Sequence, residues 1–208
     1  MSRLPRDFFA RDTLQVARDL LGQVLVRILD GERLSGHIVE VEAYIGEDDL
    51  ASHARFGRTP RNEAMYGPPG HAYVYQIYGL HHCLNIVTEA EGFPAAVLIR
   101  ALEPLEGLER MRARRGVTNP VLLTSGPARL CQAMEIDRRL DRADLCAPNA
   151  VLFVEPGTPV SDDRVATGPR VGVQGDLRAR TAPWRFYIRD HPCVSRRTTG
   201  RGQRNDVR

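Results

Sequence analysis

Strand-like segments follow one another in hairpin-like groups in this sequence of 208 residues, and the helix-like segments lie apart from them. The clearest strand, residues 34–44, alternates apolar and polar positions and is joined to a strand at residues 23–28 through the turn signal Asp30-Gly31. A parallel sheet would instead alternate strands with helices along the chain. The grouping therefore predicts an α+β fold on a largely antiparallel sheet, and a chain of 208 residues with 42% apolar content is expected to form a single compact domain.

Further helices and strands are predicted around one long loop. The predicted helices are one capped by Asp12 or Thr13 and ended by Gly22, one at about residues 105–115, and one at about residues 125–134 capped by Ser125. The remaining predicted strands are residues 72–78, 82–87, 95–101, 151–154, 171–173 and 185–189. Residues 45–71 show no sustained period and hold seven Gly and Pro residues. A loop of this length in a compact domain is usually functional or disordered.

The 29 basic residues are all arginine, and the sequence contains no lysine. A phosphate-binding loop of the Walker type needs a lysine, as does Schiff-base or general-base catalysis by a lysine amine. These chemistries are excluded, and only the N-terminal amine could form an imine.

The net charge of +3 is unevenly distributed, because residues 196–208 carry five Arg and one Asp. The rest of the chain has a net charge of −1, so affinity for nucleic acid requires local patches or the terminal segment. The composition of that segment cannot build a core. We therefore predict one domain at residues 1–195 and a disordered arginine-rich tail at residues 196–208, which is either simply solvated or adds electrostatic attraction to nucleic acid.

Cysteine spacing and hydropathy exclude several classes of protein. The four cysteines lie far apart and form no C-x-x-C pair, which argues against a zinc site or a thioredoxin-type centre and predicts reduced, mostly buried thiols. The first residues lack the apolar run of a signal peptide, and no window approaches the roughly 20 apolar residues of a membrane span. The expected location is the cytoplasm, with no membrane partner.

Two carboxylates and a phenol share one face of the strand at residues 34–44, namely Glu40, Glu42 and Tyr44. The alternation predicts that this face is exposed to a cleft or to solvent. A close carboxylate pair can raise one pKa toward neutrality and so provide a general base. Ordinary surface charge beside a half-buried tyrosine is the commoner explanation of such a segment taken alone.

Three tyrosines crowd the strand that follows the long loop: Tyr73, Tyr75 and Tyr78. Tyr75 and Tyr78 have opposite parity and so point to opposite faces of a regular strand, and Tyr78 precedes Gly79 at the expected hairpin tip. An aromatic side chain at a tip can wedge between stacked bases, and pocket aromatics can hold an extruded base. Core packing is the commoner role of clustered tyrosines.

The long loop carries Arg55, Arg58 and Arg61 beside Asn62, a set of hydrogen-bond donors suited to phosphates. Solubilising charge explains the same arginines equally well. The histidines that could titrate near neutrality or bind a phosphate are His53, His81 and His82, although a lone loop histidine usually does neither.

Eight motifs occur in order along the chain: residues 40–49 (EVEAYIGEDD), 52–55 (SHAR), 59–62 (TPRN), 73–79 (YVYQIYG), 98–107 (LIRALEPLEG), 125–127 (SGP), 168–173 (GPRVGV) and 183–187 (PWRFY). With Asn85 between them, they resemble the alkyladenine (3-methyladenine, methylpurine) DNA glycosylase family. The resemblance runs from the first helix to about residue 195, and several long motifs in order are far more specific than a tyrosine cluster.

The resemblance implies a monofunctional base-excision-repair enzyme on a curved sheet with a protruding β-hairpin. Such an enzyme flips an alkylated or deaminated purine out of duplex DNA and hydrolyses its N-glycosidic bond with an activated water, which leaves an abasic site. The implied substrate is chiefly 3-methyladenine, with 7-methylguanine, hypoxanthine and ethenoadenine as further candidates. The implied partners are damaged double-stranded DNA, bound by a monomer that is nucleoid-associated in a bacterium, and a downstream abasic-site endonuclease. No metal or organic cofactor is implied.

The catalytic residues that the resemblance implies are Glu42, Arg100 and Val171. Glu42 corresponds to the general base, while Arg100 and the backbone carbonyl of Val171 correspond to groups that help to hold the water. Glycosylases that also nick the strand commonly use an amine to form an imine with the sugar. Because this chain has no lysine, we expect water to be the nucleophile and the reaction to stop at the abasic site.

The resemblance also implies the residues that bind DNA. Tyr44, His53 and Tyr75 correspond to the pocket that sandwiches the damaged purine, and Asn85 corresponds to a residue at its rim that screens exocyclic groups. Tyr78 corresponds to the side chain that fills the gap left in the duplex.

The sequence departs from the family at His81 and His82, where aromatic or apolar residues are common. Two other functions fit part of the pattern. A non-catalytic module that binds damaged DNA would not need both Glu42 and Arg100, and a hydrolase of free nucleosides would not need Tyr78 at a tip or the loop arginines.

Overall fold

Eight strands and five α-helices form the regular structure of residues 2–195, the part of the chain that the computed structural model describes. The strands are β1 (Val24–Leu29), β2 (Glu32–Ile45), β3 (Ala72–Ile77), β4 (His81–Val87), β5 (Ala95–Glu106), β6 (Leu152–Glu155), β7 (Val165–Gly168) and β8 (Arg185–Ile188). The helices are α1 (Arg6–Phe9), α2 (Thr13–Leu20), α3 (Leu108–Arg115), α4 (Pro127–Met134) and α5 (Leu177–Thr181). The tail predicted at residues 196–208 lies outside the described residues.

The paired strands of this sheet are antiparallel, and six of them lie in the order β3-β4-β5-β2-β1-β6. The long strand β2 is central, because its first part pairs with β1, its later part pairs with β8, and β5 follows its other edge. β7 pairs in turn with β8. The α+β class predicted from the hairpin-like grouping is confirmed.

The main hydrophobic core lies where helices α2 and α4 pack against the sheet. Val39 and Val41 of β2 are fully buried in it, as the alternation of that strand predicts. Val16 and Leu20 of α2 and Leu130 of α4 pack into the same core. Burial of each such side chain contributes about 1.5–3 kcal/mol. A slip of β2 by one residue would bring its carboxylates into this core, so the core determines the register.

Strands β3 and β4 form a hairpin at the edge of the sheet, paired in continuous register. Residues 78–80 make its turn, in which Tyr78 and Gly79 have φ angles of 51° and 66°. Two consecutive residues with positive φ match the twist of a tight hairpin. The side chain of Tyr78 is 93% exposed, so the hairpin presents an aromatic ring to solvent beyond the sheet.

The predicted end of one strand and start of the next helix are wrong around Pro104. Strand β5 continues past Pro104 to Glu106, and α3 begins only at Leu108. Pro104 pairs opposite Gly36, next to a shift in the register between β2 and β5. A Cβ at Gly36 would lie 2.8 Å from the carbonyl oxygen of Glu103, so the glycine lets the strands approach closely here. Proline is tolerated where the ladder is already irregular.

Two other sequence predictions are wrong for local reasons. Residues 171–173 form a loop instead of a strand, because Gly172 has a φ of 72° and the N–H of Val171 bonds to a side chain. Ser125 is not the N-cap of α4; Gly126 holds that position without a side-chain cap, and Pro127 begins the helix. Proline suits the first turn because its missing N–H has no partner there.

Candidate active site

Glu42 is a fully buried carboxylate on the central strand β2. Its Oε1 accepts a hydrogen bond from the backbone N–H of Val171 at 2.6 Å. Its Oε2 accepts the phenol proton of Tyr44 at 2.9 Å and lies 3.2 Å from Nη1 of Arg100. The structure thus joins the three residues expected to be catalytic, although Val171 contacts Glu42 through its N–H, where the sequence predicted a role for its carbonyl.

Glu40, two residues earlier on the same strand face, shares Arg100 with Glu42 but accepts hydrogen bonds from a larger set of donors. It accepts hydrogen bonds from Arg100 at 2.9 Å and Arg185 at 2.6 Å, and from the backbone and hydroxyl of Ser195 at 2.6 and 2.8 Å. Burial is the largest influence on its pKa and would raise it. The charges of Arg100 and Arg185 and the bonds from Ser195 outweigh burial and hold the pKa of Glu40 below its ordinary value. Glu40 is therefore a fixed anion and not a general base.

The prediction that this strand face is open is wrong for both carboxylates. Glu40 and Glu42 have no exposed surface, because Arg185 and the segment that reaches Ser195 cover Glu40, and Tyr44, Arg100 and Val171 surround Glu42. The alternation of one strand reports which residues share a face. It does not report that a segment more than 140 residues later covers that face.

A cavity of about 580 Å³ opens beside this cluster. Tyr44, Arg100 and Val171, the three contacts of Glu42, all line it. The carboxylate of Glu42 therefore lies directly behind the cavity wall. Other lining residues come from the long loop, the β3–β4 hairpin, β5 and the start of α4, and include His53, Arg55, Arg61, Tyr75, Leu98 and Pro127.

Aromatic rings form one side of the cavity. His53 meets the ring of Tyr75 edge-on, with 4.5 Å between the ring centroids, and its Nδ1 lies 2.7 Å from the hydroxyl of Tyr73. Burial, helped by the charges of two loop arginines, lowers the pKa of His53 to about 4, so this ring is neutral at neutral pH. Burial also raises the pKa values of Tyr75 and Tyr44. Both phenols keep their protons, and Tyr44 remains a donor to Glu42.

Asn85 lies deeper than the sequence predicts for a residue at a rim. It is buried on β4 and donates a hydrogen bond to the carbonyl of Tyr73, its cross-strand partner, at 3.0 Å. It lines a smaller cavity of about 70 Å³. Tyr44, His53 and Tyr75 line both cavities, so the smaller one adjoins the aromatic side of the larger.

The long loop is ordered by Asn62, which the sequence offered as a phosphate donor. Asn62 is buried and donates to the carbonyls of His53 and Gly57, both at 2.9 Å, while its Oδ1 accepts the N–H of Thr59 at 2.7 Å. Its amide is thus used within the loop, and the phosphate role is wrong. Of the three loop arginines, Arg58 pairs with Glu63 on the surface, whereas Arg55 and Arg61 line the cavity.

Tyr78 at the hairpin tip does not line the cavity, although its neighbour Ile77 does. His81 and His82 line a separate groove of about 360 Å³ against α4. The structure therefore brings together the predicted catalytic and pocket residues, and it leaves Tyr78 as an exposed ring outside the cavity lining.

Sequence reasoning missed a buried ion pair between Arg170 and Asp49. Two guanidinium nitrogens of Arg170 lie 2.6 and 2.8 Å from the two carboxylate oxygens of Asp49, and neither side chain has exposed surface. Both residues occur in the motifs at residues 168–173 and 40–49. Their charges were the available signal, but nothing in a single sequence pairs positions 121 residues apart.

Residues 2–195 contain no group of three or more His, Cys, Asp or Glu side chains that could hold a metal ion. Within the same range, no helix is both long enough and apolar enough to cross a membrane. The four cysteines are free, and three are buried, as their spacing predicts.

Comparison with known proteins assigns the chain to a family. A profile described as methylpurine-DNA glycosylase matches residues 7–192, nearly the whole described chain. The chain belongs to the methylpurine-DNA glycosylase family. It is thereby an enzyme of the DNA glycosylase class, as the ordered motifs predict.

Relatives match this chain over 90% or more of their own lengths. A protein of Methanocella arvoryzae is 53% identical over 201 residues, which are 96% of this chain and 99% of the relative. Proteins of Myxococcus xanthus and Streptomyces avermitilis are 50% and 52% identical over 196 and 194 residues, covering 94% and 92% of this chain and 95% and 90% of theirs. All three carry the name of candidate 3-methyladenine DNA glycosylases.

Proposed function

We propose that this methylpurine-DNA glycosylase is monofunctional. It flips an alkylated or deaminated purine out of duplex DNA, hydrolyses the N-glycosidic bond with a water activated by Glu42, and leaves an abasic site. The observation that carries the proposal is the position of Glu42, a buried carboxylate directly behind the wall of a cavity with aromatic sides.

Glu42 has the environment that base departure needs. Loss of the base leaves an oxocarbenium-like sugar, and a nearby carboxylate both stabilises the developing positive charge and accepts a proton from the attacking water. Among the described residues, Oε2 receives two polar contacts and Oε1 receives only the N–H of Val171. A carboxylate oxygen accepts about two hydrogen bonds. We assign the water to the free side of Oε1, between Val171 and Arg100 at the cavity wall.

The aromatic side of the cavity suits a flipped purine. Alkylation at N3 or N7 gives the purine a positive charge and weakens its glycosidic bond, and a cationic ring is attracted to tyrosine faces. Tyr44, Tyr75 and the neutral His53 offer stacking surfaces and hydrogen bonds without adding a repelling charge. Damaged bases are extruded from the duplex more easily because they pair and stack less well. The fit of the extruded base in the cavity is a second selection step.

Release of free base from duplexes that each carry one lesion tests the proposal. The panel contains 3-methyladenine, 7-methylguanine, hypoxanthine and ethenoadenine, assayed under single-turnover conditions. We expect base release, an intact abasic strand for a downstream endonuclease, and no covalent adduct after borohydride treatment, because the chain has no lysine. Tight binding without release would instead indicate a damage-binding module. Activity confined to mononucleosides would indicate a nucleoside hydrolase.

Tyr78→Ala tests base flipping separately from chemistry. Stacking of an aromatic ring on bases is worth about 1–3 kcal/mol, so we expect base release from duplex DNA to fall about tenfold. Release from a single-stranded oligonucleotide should be unchanged, since no gap has to be filled there. The ring is 93% exposed, so the melting temperature should not move, and Tyr78→Phe serves as the conservative control. An equal loss on duplex and single-stranded substrates would remove Tyr78 from the flipping step.

A further inference from the structure

Behind Tyr44 lies the fully buried guanidinium of Arg170. Its central carbon is 4.7 Å from the ring centroid of Tyr44 and 4.9 Å from that of Trp184, so the cation stacks on both rings. Asp49 neutralises it through the two contacts described above. Because bidentate guanidinium–carboxylate pairs are coplanar, the carboxylate lies at the edge of the guanidinium and not between the cation and the Tyr44 ring.

The guanidinium of Arg170 lies against the ring of Tyr44 but outside the cavity. Tyr44 lines the cavity and Arg170 does not, which is the arrangement expected when the guanidinium and the cavity occupy opposite faces of the ring. Arg170 also donates to the carbonyls of Ala43 at 2.9 Å and Ala179 at 3.1 Å. These bonds hold the guanidinium in place when the cavity is filled.

A ring that already binds one cation attracts a second cation less strongly. Aromatic faces attract cations through their negative electrostatic potential, and the charge of Arg170 makes the potential at the opposite face of Tyr44 less negative. Asp49 offsets that effect in part. The charge of Arg170 weakens the stacking of a neutral base on Tyr44 only slightly, because that stacking depends mainly on contact area and dispersion.

We propose that Arg170 is a positioning residue that sets the lesion specificity of the site. Because it occupies the face of Tyr44 opposite the cavity, it lowers the ratio between the release rates of cationic alkylated purines and of neutral damaged bases. The inference rests on the proposed function, since it requires a damaged purine to stack on Tyr44 within the cavity.

Two variants shift the electrostatic potential at the ring of Tyr44 in opposite directions from that of the unmodified protein. Asp49→Asn leaves the guanidinium uncompensated, and the double variant Asp49→Asn with Arg170→Gln removes both charges. For each protein, single-turnover rates are measured on a duplex with one 7-methylguanine, which is cationic, and on one with hypoxanthine or ethenoadenine, whichever neutral lesion is released faster. The ratio of the cationic to the neutral rate should fall about threefold or more in Asp49→Asn and rise about threefold to tenfold in the double variant.

The ratio of the cationic to the neutral release rate separates an electrostatic role of Arg170 from a merely structural role. Loosening the pocket lowers both rates together and leaves the ratio unchanged. Asp49→Asn is isosteric, and its amide oxygen still accepts from one guanidinium nitrogen of Arg170, but its amide nitrogen faces the other. We therefore expect this variant to be less stable, and all rates are compared at a temperature at which each variant is shown to be folded. The control is Arg178→Gln, since Arg178 is exposed and stacks 5.5 Å from the centroid of Trp184. Its ratio should equal that of the unmodified protein.

The outcomes separate a failure of the proposed function from a failure of the proposed role of Arg170. If the unmodified protein releases no base from any duplex of the panel, the one with 3-methyladenine included, the proposed function fails and this inference fails with it. If it releases cationic bases and neither neutral base, the role of Arg170 is overturned and the proposed function stands. If it releases both kinds of base, and the ratio in Asp49→Asn and in the double variant stays within about twofold of the unmodified value, the role of Arg170 is overturned and the proposed function stands.

Discussion

Glu42→Gln is expected to lower the single-turnover rate of base release about a thousandfold or more. Glutamine cannot take a proton from water, a function typically worth 10²–10⁴-fold in rate. It also removes the negative charge that faces the oxocarbenium-like sugar, and losing one such electrostatic contact typically costs about 10²–10³-fold. The measurement is release of free base from a duplex with one lesion, with enzyme in excess.

Binding and folding should survive this substitution. The glutamine amide can keep the hydrogen bond from the N–H of Val171, and Arg100 retains its ion pair with Glu40. We therefore expect affinity for a duplex with an abasic-site analogue to stay within about threefold, and the melting temperature to change little. Full single-turnover activity in Glu42→Gln, with fold and binding intact, would falsify the role of Glu42 as the base.

Local patterns in the sequence predicted most of the framework of the fold. The alternation of β2, the turn signal Asp30-Gly31 and the paired segments around Gly79 each specify a hairpin within a short stretch of chain. Strand pairing across a short turn depends on neighbouring residues, so local patterns predict it well. The predicted ends of strands and helices were wrong where contacts between residues far apart in the sequence determine them. Strand β5 passes Pro104 because Gly36 lies opposite.

The candidate site was harder to predict, because most of its geometry is non-local. The tyrosine cluster and the carboxylates stood out by composition, and the ordered motifs indicated their roles. Nothing in the sequence indicated that Val171 would bond to Glu42 from 129 residues away. Nothing distinguished Asn62, an amide that shapes its loop, from an amide that binds phosphate. Burial and partner choice follow from the assembled sheet, and a single sequence does not contain them directly.

The carboxylates Glu40 and Glu42 are two residues apart on one strand face and both buried, yet the structure predicts opposite consequences of mutation. Glu40→Gln leaves Arg185 without the anion that it shares with Arg100, and it leaves Arg100 with Glu42 alone; the two arginine side chains are only 10% and 8% exposed. Removing one partner of a buried ion pair typically costs about 3–5 kcal/mol. We expect a loss of that size in the free energy of unfolding, measured by urea denaturation at pH 7. Base release by the folded fraction should fall less than about tenfold, because Glu42 keeps its own contacts.

The pH dependence of this loss identifies its electrostatic origin. A carboxylate whose pKa is lowered in the folded protein stabilises the fold above its unfolded pKa of about 4.3. That stabilisation disappears as the pH falls through the folded pKa, when the unmodified Glu40 is protonated and resembles glutamine. The difference in unfolding free energy between the unmodified protein and Glu40→Gln should therefore be constant from about pH 6 to pH 8 and shrink below about pH 4. A difference that stays constant down to pH 3 would mean that Glu40 acts through packing and not through its charge.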